Sequence, residues 1–417
     1  KEYQASDCRV TKPNTEVTCK TAEAGNPDQI SSKDLKWILT IESVDGVYKH
    51  HSANSTATTA YRAPAISDVQ NAQGLSTGGN EIITLTGENF GSTDAAVYVS
   101  YGPQGAPLLY AAKDCKVKVA HTTVECRSVE GYGNDMSFQL TVLRQVSSPT
   151  SFLYAYAPPT ISTISGPALL NTNGGDTLVV KGANFGKVRS TTAPSPSTVP
   201  GAVSSLNNGK FSMLGYDDIA LYYGRSTGFE NRALVCAVTK PHTEMECKTS
   251  PGVGINHEFR VAAGKQNSEK GDQKKSYKPP KLLEISGSGA TEAGTVGGQE
   301  ILISGEQLGP PSMGVDPLSA IPLLVTYGRG DASRYTAASC VVVDNHIRVR
   351  CLTAPGVGKG HSWKLTVGGQ TSTILKAGTS YAPPAITEYF GPGASSALTH
   401  GGQHVLISGR NFGSAAE

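Results

Sequence analysis

The chain has almost no excess of charge of either sign: 36 Lys and Arg stand against 34 Asp and Glu, a net charge of +2 over 417 residues. That is too little to hold a nucleic-acid backbone by bulk electrostatics, so no nucleic-acid partner is expected. No apolar run reaches the ~18 residues of a membrane span. The chain opens on Lys1-Glu2-Tyr3 without Met or an apolar leader, which reads as a mature or excised segment. Charged residues make up only 17%, against 47 Gly and 24 Pro. This excludes a coiled coil and a disordered charged tail, and leaves a turn-rich globular protein. Catalytic signatures are missing too: there is no Gly-x-Ser-x-Gly elbow, no His-Glu-x-x-His, no P-loop and no dinucleotide fingerprint. Neither an enzyme activity nor a cofactor is expected, covalent glycans apart.

What is present is repetition. The eight cysteines form four pairs, Cys8/Cys19, Cys115/Cys126, Cys236/Cys247 and Cys340/Cys351, each with ten residues between its members. A glycine pair, a strand and an Asn-Phe-Gly turn recur as Gly78-Gly79 to Asn89-Phe90-Gly91, Gly174-Gly175 to Asn184-Phe185-Gly186, Gly297-Gly298 to Gln307-Leu308-Gly309, and Gly401-Gly402 to Asn411-Phe412-Gly413. Tyr-Gly precedes the later cysteine pairs at Tyr101-Gly102, Tyr223-Gly224 and Tyr327-Gly328, and proline junctions fall at Pro64, Pro158-Pro159, Pro279-Pro280 and Pro383-Pro384. The resulting units are 64–157, 158–278 and 279–382. Residues 1–63 hold the later half of a unit and 383–417 the earlier half. Units of this size, built from short strands punctuated by Gly and Pro, read as β-sandwiches with no helix.

Around each cysteine an apolar residue sits two positions away, as in Cys115-Lys116-Val117 and Val124-Glu125-Cys126. Period two puts both on the core face of a hairpin whose ends meet, so a disulfide within each hairpin is expected, stabilising by ~2–3 kcal/mol on the chain-entropy model. Four such pairs place the chain in an oxidising compartment, secreted or on a cell surface. Zinc is the rival, because His121, His242 and His346 recur six residues after the first cysteine. It fails on ligand number: two thiolates and one imidazole fall short of four, and the first hairpin has Asn14 instead. The Asn-Phe-Gly element reads as a tight bend whose Phe (Leu308 in one copy) plugs the sandwich.

Together with Thr-x-Pro-Gly-Val-Gly at 249–254 and 353–358, these markers resemble tandem IPT/TIG domains over essentially the whole chain. The resemblance implies an all-β fold of immunoglobulin-like sandwiches in a linear array. For function it is less specific, since similar domains occur in plexin-type receptors, Rel-like transcription factors, starch-acting enzymes and microbial surface proteins. The unit at 158–278 departs by an insertion: Gly174 to Cys236 is 62 residues, against 37 and 43 in the neighbouring units.

Asn54-Ser55-Thr56 is an N-glycosylation acceptor in a polar stretch. The insertion carries a Ser/Thr/Pro cluster in which Thr191, Thr192, Pro194, Ser195, Pro196, Ser197 and Thr198 are candidates for O-linked sugars. Arg329-Gly330-Asp331 spells an adhesion tripeptide on a loop. The half-units imply a window of a longer array, or self-association in which 383–417 completes 1–63 of the next copy or window. Joining the ends leaves 12 positions from Gly413 to Cys8 where Gly91 to Cys115 spans 24, so the Tyr-Gly strand is absent from the join. The expected protein is a non-enzymatic, extracellular, glycosylated filament component. The alternative is a receptor or adhesin ectodomain that binds a protein partner.

Overall fold

The computed structural model describes residues 3–24, 31–103, 108–188, 219–310 and 323–414. Every regular element among them is a strand except one four-residue helical turn, Pro392–Ser395, which the sequence reading did not anticipate. Pro392 stands at the start of that turn, where its missing N–H costs nothing.

Three separate cores organise the centre of the chain. Each lies between two sheets. In the first sandwich one sheet runs Lys113–Val119, Thr123–Arg127, Ile82–Glu88, Ala65–Gln70, and the other runs Tyr110–Ala111, Val97–Pro103, Met136–Val142, Gln145–Val146. The second and third sandwiches repeat this order, with Thr177–Ala183 and Glu300–Glu306 in the place of Ile82–Glu88, and the third adds a fifth strand, Leu375–Ser380, paired with Lys359–Val367. The cause is alternation. Ile83 and Leu85, Leu178 and Val180, Ile301 and Ile303 are buried on the inner face, opposite the buried Cys126, Cys247 and Cys351. Residues between them face outwards. The four cysteine pairs are bonded as 8–19, 115–126, 236–247 and 340–351, with Cα separations of 4.0 to 4.1 Å.

The plug turns also repeat. Asn89, Asn184, Gln307 and Asn411 all have φ between 61° and 65°, a left-handed conformation that Asn tolerates well. Phe90, Phe185 and Leu308 are buried beneath them. Three of the four side-chain amides fasten the incoming linker: Asn89 donates to the Ala63 carbonyl at 3.2 Å, Asn184 to Pro158 at 2.9 Å and Asn411 to Pro383 at 3.3 Å. One alignment is corrected by the backbone. The structural counterpart of Gly174-Gly175 is not Gly78-Gly79 but Gly79-Asn80, with φ of 75° and 67° against 74° and 83°. Asn again stands in for a left-handed glycine.

The exit of each sandwich is tied to its entry. Ala155–Tyr156 runs parallel to Gln73–Leu75 and Ser276–Tyr277 parallel to Leu169–Leu170, and a parallel bridge joins Tyr381 to Ala293. The ends of the chain are different. Hairpin Ser6–Lys12/Glu16–Lys20, the short pairs within 35–59, and hairpin Ala385–Phe390/Leu406–Arg410 each form isolated two-stranded sheets. Their apolar residues stay in solvent, among them Val10, Trp37, Ile41, Ile386, Tyr389, Leu406 and Phe412.

Candidate functional site

Among the described residues no group of three or more His, Cys, Asp or Glu is placed to hold a metal. The three hairpin-tip histidines have other roles. All sit at left-handed φ, from 62° to 65°. His121 reaches back to Glu23 at 2.8 Å and His242 to Glu130 at 3.0 Å, each across a boundary between units, while His346 is buried at the next boundary. The cysteines beside them are consumed in disulfides.

Those contacts belong to a junction that recurs along the chain. A glutamine at the turn after Met136–Val142, Glu258–Ala263 and Lys359–Val367 clamps the linker of the preceding unit. Gln145 Nε2 donates to Ser32 Oγ at 2.7 Å and to the Tyr61 carbonyl at 3.0 Å, Gln266 Nε2 to the Tyr156 carbonyl at 2.8 Å, and Gln370 Nε2 to the Tyr277 carbonyl at 2.8 Å. The same turn meets a second loop of the preceding unit by backbone. Ser32 N–H donates to Leu143 O and Asn134 N–H to Gly264 O, both at 3.1 Å, and at the next junction a side chain takes this place, Arg225 Nη1 donating to Gly368 O at 3.0 Å. The approach is close enough that a Cβ on Gly133 would lie 2.9 Å from Gly264 O, so only glycine fits there. Tyr132 packs on Gly186, and Val253, from the Pro-Gly-Val-Gly turn, joins the hydrophobic core of the third sandwich. Thr77 donates to Asn184 Oδ1 at 3.3 Å, and Thr172 donates through N–H and hydroxyl to Gln307 Oε1 at 3.0 and 2.8 Å. Sequence reading alone does not single out the glutamines, although each stands at the same place in its unit.

Behind the junctions lies a tyrosine pair. Tyr101 and Tyr156 hydroxyls meet at 2.8 Å, Tyr223 and Tyr277 at 2.9 Å, Tyr327 and Tyr381 at 2.5 Å. The second tyrosine of each pair donates to the carbonyl of Val129, Ser250 or Ala354, whose own N–H donates to the first. Burial pushes the pKa of Tyr156 and Tyr277 far up, so these phenols stay protonated. The Tyr-Gly marker and the tyrosine before each proline junction are therefore two ends of one bond, holding the turn that touches the following unit.

Residues 64–154 match the family model described as the IPT/TIG domain. This segment is an IPT/TIG domain. No curated protein matches the chain. Among solved structures, the chain is similar to the Escherichia coli adhesin FdeC, at 10% identity over 78% of this chain and 100% of that one, with a TM-score of 0.21. It is also similar to the FN1–FN3 domains of chicken CNTN1, at 9% identity over 76% and 98%, with a TM-score of 0.22. Invasin, a bacterial integrin-binding protein, shows 11% identity over 78% and 61%, with a TM-score of 0.20. The IPT/TIG domain and the two sandwiches after it share one strand order and make a tandem immunoglobulin-like array.

The sandwiches differ in one buried position. Where the IPT/TIG domain has Met136, the second sandwich has His257 and the third His361, all buried, at the same step before Phe138, Phe259 and Trp363. His257 donates from Nε2 to the Val253 carbonyl at 3.1 Å and is edge-on to Tyr223 and Tyr277, with the charges of Arg225 and Glu230 acting on it in opposite directions. His361 faces Tyr327, Tyr335 and Tyr381, with Arg334 and Arg329 nearby. Burial pulls both imidazoles below their ordinary pKa. The unfolded chain, titrating near ~6.5, therefore binds more protons than the folded one below that pH, and stability falls as pH drops from ~6.5 towards the depressed values. Calorimetry should show the second and third sandwiches losing melting temperature between about pH 7 and pH 5. In a His257→Met, His361→Met variant that slope should flatten. Equal slopes in parent and variant would refute the assignment.

Asn54 is exposed, and Ser55 beside it is held by the Trp37 N–H at 2.9 Å and the Ala57 carbonyl at 2.6 Å. The 191–198 candidates lie outside the described residues. Arg329, Gly330 and Asp331 are exposed, but the Asp331 carboxylate accepts the Ser333 hydroxyl at 2.6 Å and its N–H at 3.2 Å. The hydroxyl bond is the main cause that keeps this carboxyl below its usual pKa range. The tripeptide thus forms a side-chain-closed turn. In the second sandwich Glu230 closes the equivalent loop by accepting N–H groups from Ser226 and Thr227. No helix among the described residues is long and apolar enough to cross a membrane.

Proposed function

We propose that the chain is a non-enzymatic extracellular structural protein, a stiff array of IPT/TIG-like sandwiches at 64–157, 158–278 and 279–382 that belongs to a glycosylated filament. Copies associate head to tail, the half-unit 383–417 of one covering 1–63 of the next, and the only groups added are covalent glycans on Asn54 and the 190–200 cluster. The observation that carries this reading is the recurring junction, in which a glutamine clamp, a close backbone contact and an inserted side chain fix each sandwich on its neighbour. Flexibly linked domains have no use for such fasteners, whereas a load-bearing rod does. The exposed apolar faces at the two ends supply the motive for association.

Sedimentation velocity and negative-stain microscopy on the full chain, secreted from a glycosylating host, should find linear multimers that grow with concentration. Intact glycopeptide analysis should find sugar at Asn54 and within 190–200. Single rods at every concentration, binding another protein through an exposed loop, would instead favour a receptor or adhesin ectodomain.

A further inference from the structure

Resting on the filament reading, we infer that strand Glu16–Lys20 takes strand Leu406–Arg410 of a second copy of this chain as its sheet neighbour, with Cys19 opposite Val405, Val17 opposite Ile407 and Glu16 opposite Ser408. The three sandwiches supply the register. Cys126 lies opposite Ile83, Cys247 opposite Leu178 and Cys351 opposite Ile301. In each case the partner stands six residues before the left-handed Asn or Gln of the plug turn, which puts Val405 in that place before Asn411.

Both edges already have the shape that the pairing needs. The hairpin tip Asn14 has φ 64°, as His121, His242 and His346 have 65°, 62° and 62°. In the sandwiches that tip donates its N–H to Gly91, Gly186 or Gly309, and its carbonyl accepts the N–H of the plug residue Phe90, Phe185 or Leu308. Asn14, Gly413 and Phe412 are the counterparts. Apolar side chains match as well. Val405 is 44% exposed and Phe412 51%, where their counterparts Ile83 and Phe90 are at 0%. On the acceptor side Val17 is 42% exposed and its counterpart Val124 is at 0%. Glu16 would stand diagonal to Arg410, a favourable cross-strand pair.

The joined sheet has the order of the complete sandwiches: two hairpin strands, then Leu406–Arg410, then Ala385–Phe390. One edge lies at each end of the chain, so the contact is heterologous and propagates as a line. It completes one sheet only. Trp37 on the opposite side gains no Tyr-Gly neighbour from it.

The test is a disulfide between copies. Full chain carrying Glu16→Cys and Ser408→Cys, prepared as a mixture of light and heavy isotope, is oxidised and run without reduction. A ladder of covalent multimers with mixed-isotope peptides linking 16 to 408 is expected, and about tenfold less cross-link from Glu16→Cys with Ile407→Cys, whose second cysteine is out of register and on the other face. Multimers in sedimentation with equal or stronger linking in the out-of-register variant would overturn the register and leave the filament reading intact. A parent chain that stays monomeric, with neither variant linking, would overturn both. Unchanged melting of the three complete sandwiches in each variant shows that folding is not the cause.

Discussion

Truncating Trp363 to alanine should destabilise the third sandwich by about 3–5 kcal/mol, while the same change at Trp37 should cost less than ~1 kcal/mol in the isolated chain. The two residues hold the same place in their units and make the same bond: Trp363 Nε1 donates to Thr379 at 2.8 Å, Trp37 Nε1 to Thr59 at 3.0 Å. Their surroundings differ. Trp363 is 1% exposed and stacked on Tyr327 with centroids 4.1 Å apart and planes 10° from parallel, whereas Trp37 is 43% exposed. Removing the first leaves a large cavity beneath the Tyr327–Tyr381 bond. Removing the second uncovers little. Calorimetry on the full chain reads both: with ~4–8 °C per kcal/mol for a domain of this size, the third transition should fall by at least ~12 °C in the first variant. A drop of a few degrees there would mean that the stack between these neighbouring strands is not what anchors their sheet to the core.

Gly182→Val should be nearly as damaging, at about 3 kcal/mol, although it only adds atoms. A Cβ at Gly182 would overlap the Thr160 carbonyl and come within 2.7 Å of the Phe185 ring tip, so the first strand or the plug must move. Gly87, Gly305 and Gly409 meet the equivalent first-strand carbonyls of Ala65, Lys281 and Ala385 in the same way. Gly175 is the instructive contrast. Space around it is open and its φ is 83°, and Asn80 holds the corresponding position in the IPT/TIG domain at 67°. Gly175→Asn should therefore shift the second transition by no more than a few degrees, about 0.5 kcal/mol, because Asn accepts the left-handed backbone. If both substitutions behaved alike, steric overlap would not be the reason for glycine at Gly182.

Much of this was readable in the sequence because it rests on local rules. Val124 and Cys126 share a face by period two, Asn184 tolerates a positive φ, and Phe185 follows it into the core. These depend on a few neighbouring residues. The Tyr101–Tyr156 bond does not: both tyrosines are visible as markers, but their union spans 55 positions and requires the exit segment Ala155–Tyr156 to lie back beside Gln73–Leu75. The clamps Gln145, Gln266 and Gln370 were harder still. A polar residue at a turn tip reads as solvated until a neighbouring unit supplies the carbonyl it meets. In the IPT/TIG domain the spelled glycine pair lies one position ahead of the left-handed pair, because Gly78 sits next to the Gly79-Asn80 step that the backbone uses. Spelling and conformation diverge where Asn replaces Gly. Arg329-Gly330-Asp331 is the converse case, a familiar spelling in which the structure adds what the letters do not carry: the Asp331 carboxylate also accepts a bond from its own turn.

The parallel pairing of entry and exit in each sandwich decides how the chain responds to tension. A pull along the array draws Gln73–Leu75 towards one end and Ala155–Tyr156 towards the other, and Leu169–Leu170 and Ser276–Tyr277 likewise. Neighbouring strands drawn in opposite directions slide past each other, so their cross-links are loaded together rather than peeled one at a time. The Tyr101–Tyr156 and Tyr223–Tyr277 bonds stand beside these pairs and share the force. Each disulfide lies between the two strands of one hairpin, away from that line. Reduction would then loosen the sandwiches against heat while leaving their first yield under stretch almost unchanged.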